Sequence, residues 1–409
     1  MKRHVLDSVG RAEQPDQASR PPSRGSTGPA LFIVLLLLLG TPAATWAVAA
    51  RLAPPQASPP LAPDGVGATA VPPSPSPFPS MVSATVTPSP APSPSPTPDT
   101  RGTILERRLL ETAQPAQITQ LNARFYPPGT VLPPRHAVER HLIRYLSTDE
   151  TGASLEIVAQ LFVPQVAPGA TLPVLVYGAG TTGLGDHCAV SREEPTVRNW
   201  GDYLVHMRSY ASQGYIAILP DYAGFNDDSQ LQRYFVAESE SRVLLDAARA
   251  VFQFFEASPG RVAPEPAVFF AGYSQGGHAA FAVRDAAPSY APELPVKGAI
   301  GHGASTDVTA LLRDSPYFAP YVLYSFADYY GADAVDLSRL FAPRWLPTLA
   351  ADVTSKCIDA MPGYYGTNPQ VLYHPAFREA LFGGRLEEAF PALKQVLDRN
   401  STGLAPSNV

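Results

Sequence analysis

Val268-Phe269-Phe270-Ala271-Gly272-Tyr273-Ser274-Gln275-Gly276-Gly277-His278-Ala279-Ala280-Phe281 decides how this chain is read. Apolar residues suited to a buried strand run into Gly272-Tyr273-Ser274-Gln275-Gly276, a G-x-S-x-G pentapeptide, and small residues suited to a helix follow it. A strand that turns so sharply into a helix holds its central serine in a strained backbone conformation, which only glycine neighbours can accommodate. The serine Oγ then projects above the sheet beside the N–H groups of the helix start. The pentapeptide alone is a weak signal. With a strand before it and a helix after it, it reads as a nucleophile elbow rather than a glycine-rich turn with an idle serine.

The flanking pattern supplies the domain. Val138 to Thr148 and Leu155 to Val163 alternate apolar and polar residues, as half-buried antiparallel strands do, and Asp149-Glu150-Thr151-Gly152 is a turn between them. Continuous apolar runs follow at Leu172 to Tyr177, Tyr215 to Leu219, Ala267 to Ala271 and Val296 to Ile300. Unbroken runs suit parallel strands buried on both faces. The clearest helix is expected over Phe235 to Phe255, with Leu244, Ala248, Val251 and Phe255 on one face and Glu238 and Glu240 near its start. The order describes an α/β domain with a mostly parallel sheet and the elbow after its fifth strand. Ligands in such sheets sit at the carboxyl ends of strands, where Gly180, Asp221 and Ser274 fall.

Charged residues make up 16% of the 409, and the net charge is −6. With no basic tract, nucleic-acid binding is set aside. Two cysteines and eight scattered histidines offer no metal-ligand spacing, so no metal and no cofactor are expected. Residues 1–50 carry a net-positive start and the apolar run Leu31-Phe32-Ile33-Val34-Leu35-Leu36-Leu37-Leu38-Leu39. They read either as a signal peptide, cleaved after Ala47-Val48-Ala49, or as an uncleaved anchor that attaches the chain to a membrane. In both readings the rest of the chain is exported. Residues 51–100 are rich in Pro, Ser, Ala and Thr, including Pro73-Ser74-Pro75-Ser76-Pro77, and read as a stiff disordered tether. Oligomeric state is not legible.

Three stretches give the chain a closer likeness: Gly180-Thr181-Thr182-Gly183-Leu184-Gly185-Asp186-His187-Cys188-Ala189, Pro220-Asp221-Tyr222-Ala223-Gly224-Phe225, and the elbow itself. Ser305-Thr306-Asp307-Val308 is a fourth, weaker one. In these the chain resembles the secretory lipase family of α/β-hydrolases, the fungal lipase A type and its bacterial relatives. The resemblance implies an α/β-hydrolase core over 101–302 and a helical cap, or lid, over 303–409 that covers the serine and forms an acyl-chain tunnel. It departs from the family at Ala179, where a histidine is usual. Cys188 and Cys357 are either two free buried thiols or, on an exported chain, a disulfide; the resemblance implies a bridge from the 180–189 loop to the cap.

In ester cleavage a serine hydroxyl attacks the carbonyl carbon, a histidine takes its proton and an acid orients the histidine. Ser274 is the expected nucleophile. Two backbone N–H groups, those of Thr181 and Gln275, are the expected oxyanion donors. The acid and the histidine are not found. His278 sits on the elbow helix, His374 belongs to the cap, and His302 with Asp307 is the weak substitute pair. The sequence stops at Ser407-Asn408-Val409, where a seventh strand is expected, so truncation with very low activity is the reading adopted. The expectation is an exported serine carboxylic-ester hydrolase, a lipase or esterase acting on ester or lipid substrates. The alternatives are an envelope acyltransferase or peptidase of the same fold and a non-catalytic hydrolase-like surface protein.

Overall fold

Polar edges and apolar interiors sort the strands of the computed structural model, which describes residues 99–227, 229–257 and 262–404. The expected export segment and almost all of the Pro/Ser-rich tract lie outside the described residues. Strands β1 (Ile104–Ala113), β2 (Val138–Thr148), β3 (Ser154–Pro164), β4 (Ala170–Gly178), β5 (Ile216–Pro220), β6 (Val262–Tyr273) and β7 (Val296–His302) form one sheet, in the order β1-β2-β3-β5-β4-β6-β7. β1, β2 and β3 are antiparallel, β3 pairs antiparallel with β5, and β5, β4, β6 and β7 run parallel.

The β2–β3 turn forms where its residues require it. Asp149 Oδ1 accepts from the N–H groups of Thr151 and Ala153, and Gly152 takes φ 86°. The buried strands match their apolar runs, with Val174, Val176, Ile216, Ile218, Val268 and Phe270 inaccessible to solvent. β1 is a strand the sequence pattern did not announce. Glu106, Arg107, Arg108 and Glu111 interrupt its apolar residues, as charges do on an edge that must not pair with another chain. Its presence makes the strand before the elbow the sixth, not the fifth.

Helices α1 (Pro115–Phe125), α2 (Tyr203–Ser212), α3 (Ala237–Glu256) and α4 (Gln275–Tyr290) cover the sheet. α3 begins two residues later than its pattern suggested. Phe235 lies at φ 57°, a left-handed backbone that no helix can contain, and Glu240 Oε1 accepts its N–H. After β7 the chain forms short helices: α5 (Val308–Asp314), α6 (Ala319–Tyr330), α7 (Leu337–Leu340), α8 (Leu349–Ser355), α9 (Met361–Tyr365), α10 (Pro369–Leu372), α11 (Pro375–Phe382), α12 (Leu386–Ala389) and α13 (Pro391–Arg399). They enclose a second core, in which Phe326, Phe341, Tyr373 and Phe377 pack with Leu184, Tyr234 and Phe235 of the sheet domain's loops.

Candidate active site

Ser274 stands between the end of β6 and the first residue of α4 at φ 52° and ψ −111°. It is one of four non-glycine residues with positive φ among those described. Such a backbone costs on the order of 1–3 kcal/mol and persists only where its surroundings over-determine it. They do so here. Ser274 N–H donates to the His302 carbonyl (2.9 Å), and the Ser274 carbonyl accepts from His278 N–H (3.0 Å). Glycines then allow backbone to touch backbone. A Cβ on Gly276 would lie 1.8 Å from the Gly178 oxygen, and one on Gly272 would lie 2.2 Å from the Gly276 carbonyl. The serine itself remains partly exposed.

Gly276 therefore presses the start of α4 against the end of β4, which leads into the 179–185 loop. Hydroxyl groups hold that loop from three sides. Gly180 N–H donates to Tyr203 Oη (2.8 Å), Tyr222 Oη donates to the Ala179 carbonyl (2.8 Å), and Thr181 Oγ1 shares a 2.6 Å bond with Tyr234 Oη. Ile358 N–H donates to the Thr182 carbonyl (2.8 Å), Gly183 bridges to Cys357, and Cys188 and Cys357 are joined in a disulfide across 169 residues of sequence. The N–H groups of Thr181 and Gln275 meet no acceptor among the described residues. Both belong to buried residues, and that of Gln275 opens helix α4, whose dipole favours negative charge. Ala179, at the family's histidine position, is buried, so the loop backbone is retained without that side chain.

The remaining candidates lie apart. His302 is exposed at the end of β7. Asp307 caps α5, accepting from Ala310 N–H (3.0 Å), and among the described residues no hydrogen bond joins it to His302 or joins any histidine to Ser274 Oγ. His278 is fully buried between Glu240 and the Asn400 carbonyl, and His374 Nδ1 caps α11. His206, which the sequence did not single out, is held low in pKa by burial, an effect that nearby Asp202 opposes and His302 reinforces. Asp221, at the end of β5, accepts from Ser191 N–H and Asn226 Nδ2 (both 2.8 Å). Burial pushes its carboxyl up to about 6. Glu193, which accepts the N–H groups of Trp200 and Leu204, is pushed by burial to about 7. The sequence missed the roles of Tyr203 and Tyr234, whereas Tyr222 was expected in a hydrogen-bonded structural role. A tyrosine within an apolar stretch carries no mark of where its hydroxyl will reach.

Metal-ligand types converge at one place among the described residues, His187 with Cys188 and Cys357, but both sulfurs are consumed by the disulfide. No described helix is long and apolar enough to cross a membrane.

Sheet order, strained serine and glycine contact together fit the α/β-hydrolase fold. The model of the family described as secretory lipase matches residues 196–328, a stretch that contains the elbow but not the 179–185 loop. The chain's likeness to the secretory lipases, read from the motifs, is thus borne out over that stretch. Solved structures agree on the fold. A protein from Legionella pneumophila is 19% identical with a TM-score of 0.60, covering 73% of this chain and 79% of its own. The rice cell wall degrading esterase LipA from Xanthomonas oryzae is 17% identical with a TM-score of 0.58, over 76% and 81%. Candida antarctica lipase A in its closed state is 19% identical with a TM-score of 0.51, over 76% and 66%. No curated protein matches by sequence.

Proposed function

We propose that the chain is an exported serine esterase or lipase that cleaves carboxylic esters through an acyl intermediate on Ser274. The observation that carries the reading is the left-handed backbone of a partly exposed serine, packed by glycine against a loop with an unpartnered amide. Ser274 Oγ attacks the ester carbonyl carbon and releases its proton to solvent water, from which the departing alkoxide later takes one. The carbonyl oxygen becomes an oxyanion, and the N–H groups of Gln275 and Thr181 receive it. Donors that are fixed beforehand need no reorganisation as the charge develops, and one of them is typically worth about 3 kcal/mol of barrier. Expulsion of the alcohol leaves the acyl group on the serine, and water then releases the acid.

The helices from α5 to α13 serve as a cap, which the disulfide and the Ile358–Thr182 bond tie to the oxyanion loop. No described histidine bonds Ser274, so turnover is slow, and the serine with its amides leaves a residual rate. An aromatic-rich cap suits esters that carry an apolar acyl chain. The apolar N-terminal run, the match to a secretory family and the disulfide support export.

The test incubates the full-length chain with a 4-nitrophenyl ester of a short acid and maps acylated peptides by mass spectrometry. The acyl group is expected on the peptide containing Ser274, and Ser274→Ala should abolish both adduct and nitrophenol release. Equal release from wild type and Ser274→Ala, with no adduct at Ser274, would refute the reading.

A further inference from the structure

Behind the elbow lies a carboxylate that the mechanism above does not use. Glu240, in the first turn of α3, is buried, with its side chain fully inaccessible. Its Oε1 accepts from Gln275 Nε2 (2.8 Å) and from Phe235 N–H (3.0 Å). Its Oε2 lies 2.6 Å from His278 Nδ1. His278 Nε2 lies 2.7 Å from the Asn400 carbonyl, and the Asn400 side chain accepts Ala237 N–H at the start of α3. One proton therefore sits between Glu240 and His278, and another between His278 and Asn400, so both ring nitrogens are engaged.

The three contacts on this carboxylate lead to both halves of the oxyanion site. One ends on the side chain of Gln275, whose own N–H is one donor. The bond to His278 grips α4 one turn further along. The third fixes the left-handed Phe235, whose ring packs against His278 (4.7 Å between centroids). Its neighbour Tyr234 reaches Thr181 through the 2.6 Å hydroxyl bond, and Thr181 carries the second donor. A buried carboxylate is costly unless fully hydrogen-bonded. Apolar packing alone would join α3 to α4 without that cost, but would not tie Gln275 to Phe235.

We propose that Glu240 is a positioning residue: its carboxylate sets the elbow amide of Gln275 and, through Phe235 and Tyr234, the loop amide of Thr181 into one shared geometry for an oxyanion. The inference rests on the serine-esterase reading of the site. His278 is then the partner that keeps Glu240 in place, not the base of the reaction. The Asn400 carbonyl extends the same network to the end of α13, so the last cap helix shares in holding the elbow.

The experiment measures phosphonylation of Ser274 by a fluorophosphonate, which esterifies the serine Oγ with loss of fluoride, in the full-length chain. The maximal rate and the half-saturating concentration are read separately, per folded molecule. Glu240→Gln is expected to lower the maximal rate by about 10- to 100-fold, short of the ~10²–10³-fold typical of deleting an oxyanion donor outright. The half-saturating concentration should stay within about twofold, because substrate contacts are untouched. Amide hydrogen exchange should speed up together in peptides covering 178–185 and 272–280. Gln275→Met cuts only the elbow arm and Tyr234→Phe only the loop arm, and each should cost a part of the loss. A wild-type maximal rate in Glu240→Gln, or a lowered melting temperature with an unchanged rate, overturns the inference. If Glu240→Gln does not fold, wild-type rates in both single-arm variants overturn it equally. A wild-type chain that is not phosphonylated at Ser274 fails the serine-esterase reading itself, and the inference falls with it.

Discussion

The two cores of this molecule hold their parts in place by different means. Around the elbow, the sheet domain fixes atoms by backbone contact. Gly178, Gly272 and Gly276 meet at distances that admit no side chain, and hydroxyls of Tyr203, Tyr222 and Tyr234 finish the loop. Beyond β7, short helices are held by large side chains, with Phe326, Phe341, Tyr373 and Phe377 at the centre. Close backbone contact leaves the elbow no room for an added side chain, whereas the helical core is filled by large side chains. Damage to the two should therefore read out differently: reactivity on one side, stability on the other.

The largest effect should come from the helical core. Phe326→Ala is expected to destabilise the chain by about 3–5 kcal/mol, measured by urea unfolding, while Ser274 in the folded fraction keeps its reactivity. Loss of reactivity in step with stability would erase the distinction. The disulfide joins the two regions, so replacing Cys188 and Cys357 together by Ala should cost about 2–4 kcal/mol, and should free the 179–185 loop to exchange amide hydrogens faster.

Burial of Glu193 yields a pH test on the sheet side. Its folded value of about 7 lies above the ordinary 4.5, so the folded state binds the proton more tightly than the unfolded chain. The stability this contributes is complete below about pH 4.5 and is lost as pH rises through 7. Asp221, raised from 3.8 to about 6, acts in the same direction over a lower window. Relative to Glu193→Gln, the wild-type protein should lose roughly 2–3 kcal/mol between pH 4.5 and pH 8, read by urea titration at each pH. The smallest stability effect is expected for Tyr222→Phe, about 1 kcal/mol. Because the Ala179 carbonyl loses its partner beside the loop, serine labelling should nonetheless slow severalfold.

The same contrast explains what the sequence made legible. Continuous apolar runs marked β4, β5 and β6 because strands buried on both faces leave no alternative pattern, whereas β7 shares the run yet forms an edge with Ile300 exposed. The elbow was legible because a left-handed serine requires glycines at fixed spacing. β1 was missed because its charges mask its period, and the exact start of α3 because Phe235 looks helical until its backbone is seen. The Glu240–His278 pair carried no signal either: Glu240 read as an ordinary first-turn acid, and its partner is 38 residues away.

The central claim is that Ser274 is poised by its strained turn and the amides around it. The direct measurement is labelling of the full-length chain by a fluorophosphonate, with the modified residue located by peptide mapping, in wild type and in Gly276→Ala. The account predicts a single adduct on Ser274 in the wild type, and none in Gly276→Ala, whose added methyl group must displace the Gly178 carbonyl. Labelling of Gly276→Ala at the wild-type rate, or a folded wild type whose adduct lies on another residue, would contradict it.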